Sequence, residues 1–212
     1  MTAQIYAKVG RHMAHAPGDH VSADLSTGWP LSIHGFLHFL LIVDWCSNKF
    51  WHYLLRTRAE SHEYLNWWMI QAKTHLGHAV KVLHIDSGEM KADIIDEMCK
   101  KLGTIPVYTG TGQSKQNTRA ERGIRTSTDM IVTMLSGGGA TKDKWEFPCL
   151  CAQRVLGILP KMVDLQGPRK NKDGGRTERP LTPDEIWNGE KYNSYKDQTK
   201  FVFAPFCLGV RF

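Results

Sequence analysis

Cysteine pairs, long apolar runs and a strong charge of one sign are all missing from this 212-residue sequence, and each absence removes a class of protein. The five cysteines (Cys46, Cys99, Cys149, Cys151, Cys207) are scattered, odd in number and never spaced C-x-x-C. That argues against a disulfide framework and a cysteine-rich zinc site, and points to a reducing compartment, nucleus or cytoplasm. The longest apolar run, Phe36 to Val43, is broken by His38 and falls far short of the roughly 20 residues that span a bilayer. No charged segment followed by an apolar one opens the chain, so no leader and no membrane partner are expected. The formal net charge is only +6, with a pI near 9.1, which permits binding to polyanions without requiring it.

What is present is a change of hydrophobic period along the chain. Up to about His20 there is no periodic apolar pattern, which reads as an arm or linker following on from a longer polyprotein. VSADLS, FLHFLLIVDW and FWHYLLRT then read as three strands, the last two joined by the turn-forming Cys46-Ser47-Asn48-Lys49. Leu65, Met69, Ala72 and Leu76 predict a helix, with Thr57 to Glu60 as a capping box and Gly77 as its stop. The strand AVKVLHID follows, then a helix carrying Ile94, Ile95, Met98 and Leu102 and closed by Gly103, then the strand IPVYTG. Ile124, Thr128, Ile131 and Leu135 predict a helix from Glu121 to the break at Gly137-Gly138-Gly139, and PCLCAQRVLGILP predicts another. Beyond a basic linker, Thr182-Pro183-Asp184-Glu185 is a second capping box, and FVFAPFCLGV is strand-like.

Three meandering strands followed by alternating helices and strands resemble the element order of a ribonuclease H-like fold: an α/β mixed sheet, three antiparallel strands then βαβ, flanked by helices. Such a layout puts Asp24 on the first strand, Asp86 at the end of the fourth and Glu121 near the start of a later helix. Sites in sheets with parallel strands gather where strand ends meet helix starts. Three carboxylates suit hard divalent cations, which take oxygen ligands; Mg²⁺ leaves positions open for water and phosphate. Two such ions roughly 3.5–4 Å apart are suited to in-line phosphoryl displacement.

The strings themselves are more specific. VSADLSTGWP resembles the first-aspartate motif of copia-type retroelement integrases, LLIVDWCSNKFWHYLLRT their following hairpin, VLHIDSGEM their second-aspartate motif and QSKQNTRAER the segment bearing their glutamate. LTPDEIWNGEKY and FVFAPFCLGV resemble the family's segments beyond the catalytic domain, so the resemblance runs from about Val21 to Val210. Thirty-four residues separate Asp86 from Glu121, one fewer than the usual pattern, most simply lost just after Asp86. Thr118 stands where the family has glycine, and Gly112 where it has an aromatic. If that glycine served a positive torsion, threonine would be strained there by about 1–3 kcal/mol. The family's amino-terminal His-His-Cys-Cys zinc module has no counterpart before Asp24, where no cysteine stands.

The resemblance implies an arm or linker at 1–19, a catalytic core over 20–165, a basic linker at 166–180 and a helix-strand tail at 181–212. It implies a polynucleotidyl transferase in which Asp24, Asp86 and Glu121 hold two Mg²⁺ or Mn²⁺ ions, trim element DNA ends and join them to target DNA. Double-stranded DNA and further copies of the chain are the expected partners, and a virus-like particle and then the nucleus the expected location. Lys115, Gln116, Asn117, Arg119, Arg122 and Arg125 are the candidate DNA contacts, beside a helix start that favours phosphate. The linker bases Arg169, Lys170, Lys172, Arg176 and Arg179 read as a solvated stretch. Asp44, which also ends an apolar strand, reads as a turn residue. The clustered His12, His15 and His20 do not read as a zinc site, His34 and His38 read as ordinary sheet residues, and Trp45, Trp51, Trp67, Trp68 and Trp187 as packing aromatics. The alternatives are a catalytically inactive DNA-binding or oligomerisation remnant and a nuclease on the same fold.

Overall fold

The computed structural model describes residue 14 and residues 16–86, 92–109, 118–159 and 181–189. Three strands come first: β1 (His20–Ser26), β2 (His38–Asp44) and β3 (Phe50–Leu55). Helix α1 (Glu60–Leu76), strand β4 (Val82–Asp86), helix α2 (Ala92–Leu102) and strand β5 (Ile105–Thr109) follow. Among the described residues three α-helices follow: α3 (Thr118–Gly137), α4 (Glu146–Ile158) and the short α5 (Pro183–Asn188). The strands form one sheet in the order β3-β2-β1-β4-β5. β1, β2 and β3 pair antiparallel, whereas β4 runs parallel to β1 and β5 parallel to β4. This is the mixed α/β sheet expected from the element order.

The sheet is covered on both faces. Val21, Ala23, Leu25, Leu40, Ile42, Leu83 and Ile85 turn to one side, where Leu65, Trp68, Met69 and Ala72 of α1 and Ile95, Met98 and Cys99 of α2 complete a core. On the other side Phe39, Leu41, Val43 and Phe50 meet Ala120, Ile131 and Leu135 of α3, with Trp145, Cys149 and Leu156 at and along α4. A strand alternates its side chains between faces, so β2, apolar throughout from Phe39 to Val43, serves both cores.

Helix ends follow local chemistry, with one exception. Gly77, Gly103, Gly139 and Gly189 adopt positive φ just past their helices, the conformation glycine takes without a Cβ penalty. At α5 the capping box forms: the Glu185 N–H donates to Thr182 Oγ1 at 3.2 Å and the Thr182 N–H donates to Glu185 Oε2 at 2.9 Å. The box expected at Thr57 does not. Helix α1 starts only at Glu60, its N-cap Ala59 is already helical and has no side-chain cap. Glu60 Oε2 instead accepts from the Arg56 N–H at 2.9 Å, and the Thr57 carbonyl, not its hydroxyl, closes the turn onto the Glu60 N–H.

Helix α5 packs into the first core. Trp187 lies edge-on to Trp51, 4.7 Å between centroids, and stacks on His75. Asp184 pairs with Lys49 at 3.1 Å and Arg154 at 3.2 Å. Its carboxylate fills the space a side chain at Gly157 would need, 2.7 Å from an added Cβ. The expected strand in FVFAPFCLGV and the basic linker fall outside the described residues.

Candidate active site

Asp24 and Asp86 each lie one residue beyond a paired position on adjacent strands. Ala23 of β1 stands beside Ile85 of β4 in the parallel ladder, and Asp24 and Asp86 are the next residue along each strand. Alternation puts both on the face away from Val21, Ala23, Leu83 and Ile85, which is the face covered by α3 and α4. Ser22 and His84 form the preceding row on that face.

Asp24 is 9% exposed, and its Oδ1 accepts the N–H of Leu25 at 2.9 Å. Asp86, the last residue of β4, is half-buried. Glu121 lies in the first turn of α3, the helix packed on β1 and β2. Gly123, two residues on, rests on Leu41: a Cβ added there would stand 2.6 Å from Leu41 Cδ2. Leu41 is the antiparallel partner of Asp24, so the helix turn with Glu121 crosses the sheet one strand away from the first aspartate. Glu121 itself is exposed.

Among the described residues no three His, Cys, Asp or Glu side chains are gathered closely enough to hold a metal ion. Neighbouring carboxylates repel one another in the absence of cations. The donor chemistry, three carboxylates, fits hard divalent ions.

The other candidates divide. Arg122 and Arg125 are exposed on α3. Arg119 is held by the β2–β3 turn: its Nη1 donates to the Trp45 carbonyl at 2.7 Å and to Asn48 Oδ1 at 3.2 Å, and its guanidinium lies 5.0 Å from the Trp45 ring centroid. Lys115, Gln116 and Asn117 lie outside the described residues. Thr118 is the first residue of α3 and has no positive φ; among the described residues Asn48, at φ 55°, is the one non-glycine that does. The strain considered for Thr118 is therefore absent.

Asp44 is fully buried and accepts from the Gly18 N–H at 2.8 Å, the Ser47 N–H at 2.7 Å and Ser47 Oγ at 2.8 Å. It organises the turn, as its position suggested; burial raises its pKa while these donors oppose the rise. His34 departs from the sequence reading. It precedes β2, and its Nδ1 is 2.6 Å from Oε1 of the buried Glu146, whose Oε2 accepts from Ser32 Oγ at 2.8 Å. Period alone could not show this, because the strand begins only at His38.

Period-two alternation through VSADLS and VLHID does identify residues that reasoning about the acids alone passed over. The Trp45 indole N–H donates to Ser22 Oγ at 2.8 Å, and its ring stacks on His84 at 4.4 Å. His20 Nδ1 and His84 Nε2 stand 3.1 Å apart. Ser22, His84 and Trp45 thus floor the region next to the two aspartates.

No family model matches the chain. Among solved structures it is similar to a chain of the simian T-cell lymphotropic virus intasome, with TM-score 0.61 and 11% identity over 86% of this chain and 59% of that one. It is also similar to the catalytic core domain of BIV integrase, with TM-score 0.51 and 17% identity over 87% of this chain and 99% of that one. The sheet and its helices define the fold class of integrase catalytic cores, ribonuclease H-like. At these identities the likeness is one of fold, and the chain spans 59% of the matched intasome chain. Among the described residues no helix is long and apolar enough to cross a membrane.

Proposed function

We propose that this chain is the catalytic core of a copia-type retroelement integrase, a polynucleotidyl transferase acting on double-stranded DNA through Asp24, Asp86 and Glu121. The observation that supports this reading is the parallel register of β1 with β4, in which Ala23 pairs with Ile85 one residue before Asp24 and Asp86, in a sheet packed against the helix that bears Glu121 in its first turn. Asp24 and Asp86 would offer oxygens from strand positions, and Glu121 would offer a third from the exposed first turn of α3. Mg²⁺ or Mn²⁺, two ions per site, would supply Lewis acidity toward a phosphodiester when bound. Arg122 and Arg125 meet DNA phosphates near the amino-terminal end of α3, where the helix dipole adds positive potential. End processing and strand transfer are the two reactions, in an assembly of several copies, acting in the nucleus after a virus-like particle stage.

A second reading, a non-catalytic DNA-binding remnant, is favoured by the absence of a gathered metal-binding trio among the described residues. Asp86→Asn separates the two. In the catalytic reading, purified full chain nicks and joins element-end DNA with Mg²⁺ or Mn²⁺, and the substitution lowers this by about a hundredfold or more without weakening DNA binding. Activity that survives Asp86→Asn refutes the assignment, and cleavage that ignores element ends identifies a nuclease instead.

A further inference from the structure

We infer that Arg119 is a positioning residue for the carboxylate site, tying the first turn of α3 to the strands that carry the aspartates. The inference rests on the trio reading proposed above and adds a residue to it.

The contacts form a continuous path. Trp45 is fixed from below: its backbone N–H donates to the His20 carbonyl at 2.9 Å, its indole N–H donates to Ser22 Oγ, and its ring lies on His84, inclined by 14°. Ser22 and His84 are the row immediately before Asp24 and Asp86 on the same face. Arg119 holds Trp45 twice, through the backbone carbonyl and across the ring, and takes Asn48 Oδ1 as well. Two residues along the same turn is Glu121. A planar guanidinium with several donors and a stackable face fixes geometry in a way lysine does not. Because Asn48 sits at positive φ, its side chain is presented by a turn whose backbone is itself constrained.

The consequence is that two halves of the site, strand acids and helix acid, share one reference point. Without Arg119 the turn remains helical and the β1–β4 register is kept, but the distance between Glu121 and the strand aspartates is less tightly set. Misplacement by about 1 Å can cost a hundredfold in a reaction that depends on alignment. On this account Arg119 acts within the chain and does not bind DNA phosphate.

The test is a Mg²⁺ and Mn²⁺ titration of the full chain, read by thermal shift with metal alone, alongside DNA binding in metal-free buffer at several salt concentrations. Arg119→Ala is expected to raise the half-saturating metal concentration roughly tenfold, the scale of one lost charge-assisted bond. Asn48→Gly, which suits the positive φ and removes only the second acceptor, should move it in the same direction by about two- to threefold. DNA affinity and its salt slope should stay unchanged in both. An unmoved metal midpoint in folded Arg119→Ala or Asn48→Gly overturns the inference, even if the metal-free melting temperature falls. So does a salt slope reduced by about one in Arg119→Ala, which marks a phosphate contact. Asp24→Asn tests the underlying reading separately: if it leaves the metal response intact, the trio itself is wrong.

Discussion

The two sides of β1 are buried almost equally and built from opposite chemistry. Val21, Ala23 and Leu25 face α1 and α2 in an all-apolar core, while Ser22, Asp24 and Ser26 face the side of α3, each at most 9% exposed. Burying apolar surface is favourable, whereas each buried polar group costs free energy unless partnered. The polar side therefore detracts from stability relative to an apolar equivalent and survives by satisfying its groups: Ser22 by Trp45, Ser26 by the Trp29 indole at 2.9 Å, and Asp24 in part by the Leu25 N–H. One face of the strand is apolar and the other carries its buried polar side chains, Asp24 among them.

Substitution on the apolar side should produce the largest stability change. Leu83 is wholly buried there, and Leu83→Ala should lower unfolding free energy by about 2–5 kcal/mol, measured by urea denaturation. Its metal midpoint should remain that of the parent; a shifted midpoint would mean that the two faces are not separable.

His52 sharpens the contrast from the polar side. Its ring lies between Ser127 Oγ of α3, 2.9 Å from Nε2, and the Cys149 carbonyl of α4, 3.0 Å from Nδ1. Burial pushes its pKa from the ordinary 6.5 down to about 4, against the bond to Cys149 that works the other way. Below pH 6.5 the unfolded chain takes up a proton that the folded chain refuses until about pH 4. Stability from this group is thus complete above pH 6.5, falls as pH drops between those values, and levels off below pH 4, a total of about 3 kcal/mol. Denaturation curves between pH 7 and 4 for the parent and His52→Gln measure it; equal pH slopes would remove His52 as the cause.

The smallest effect is expected at the edge of the apolar core. Thr182→Ala removes one half of the α5 capping box and should cost about 1 kcal/mol. It should leave the pH slope and metal midpoint alone, because α5 packs on the apolar side through Trp187.

Much of the scaffold was legible in the chain. Strand and helix periods, the stops at Gly77 and Gly103, the break at Gly137 to Gly139 and the cap at Thr182 are local, and local chemistry is written in adjacent residues. Thr57 failed as a cap although its motif was right, because a motif does not say whether the turn that carries it has already become helical. His34 failed because its partner, Glu146, is far away along the chain. Spacing groups Arg119 with Arg122 and Arg125, yet only packing reveals that it reaches the Trp45 carbonyl.

The sequence by itself determined which segments become strands and helices, which residues alternate to the same side, and which acids and bases are available. Tertiary structure alone decided that β4 lies parallel beside β1 with Ala23 against Ile85, that Gly123 lays α3 against Leu41, and that Arg119 joins helix to hairpin. The physical reason is range: hydrophobic period and capping act over a few residues, whereas strand register and helix docking are settled only when distant apolar faces close on one another.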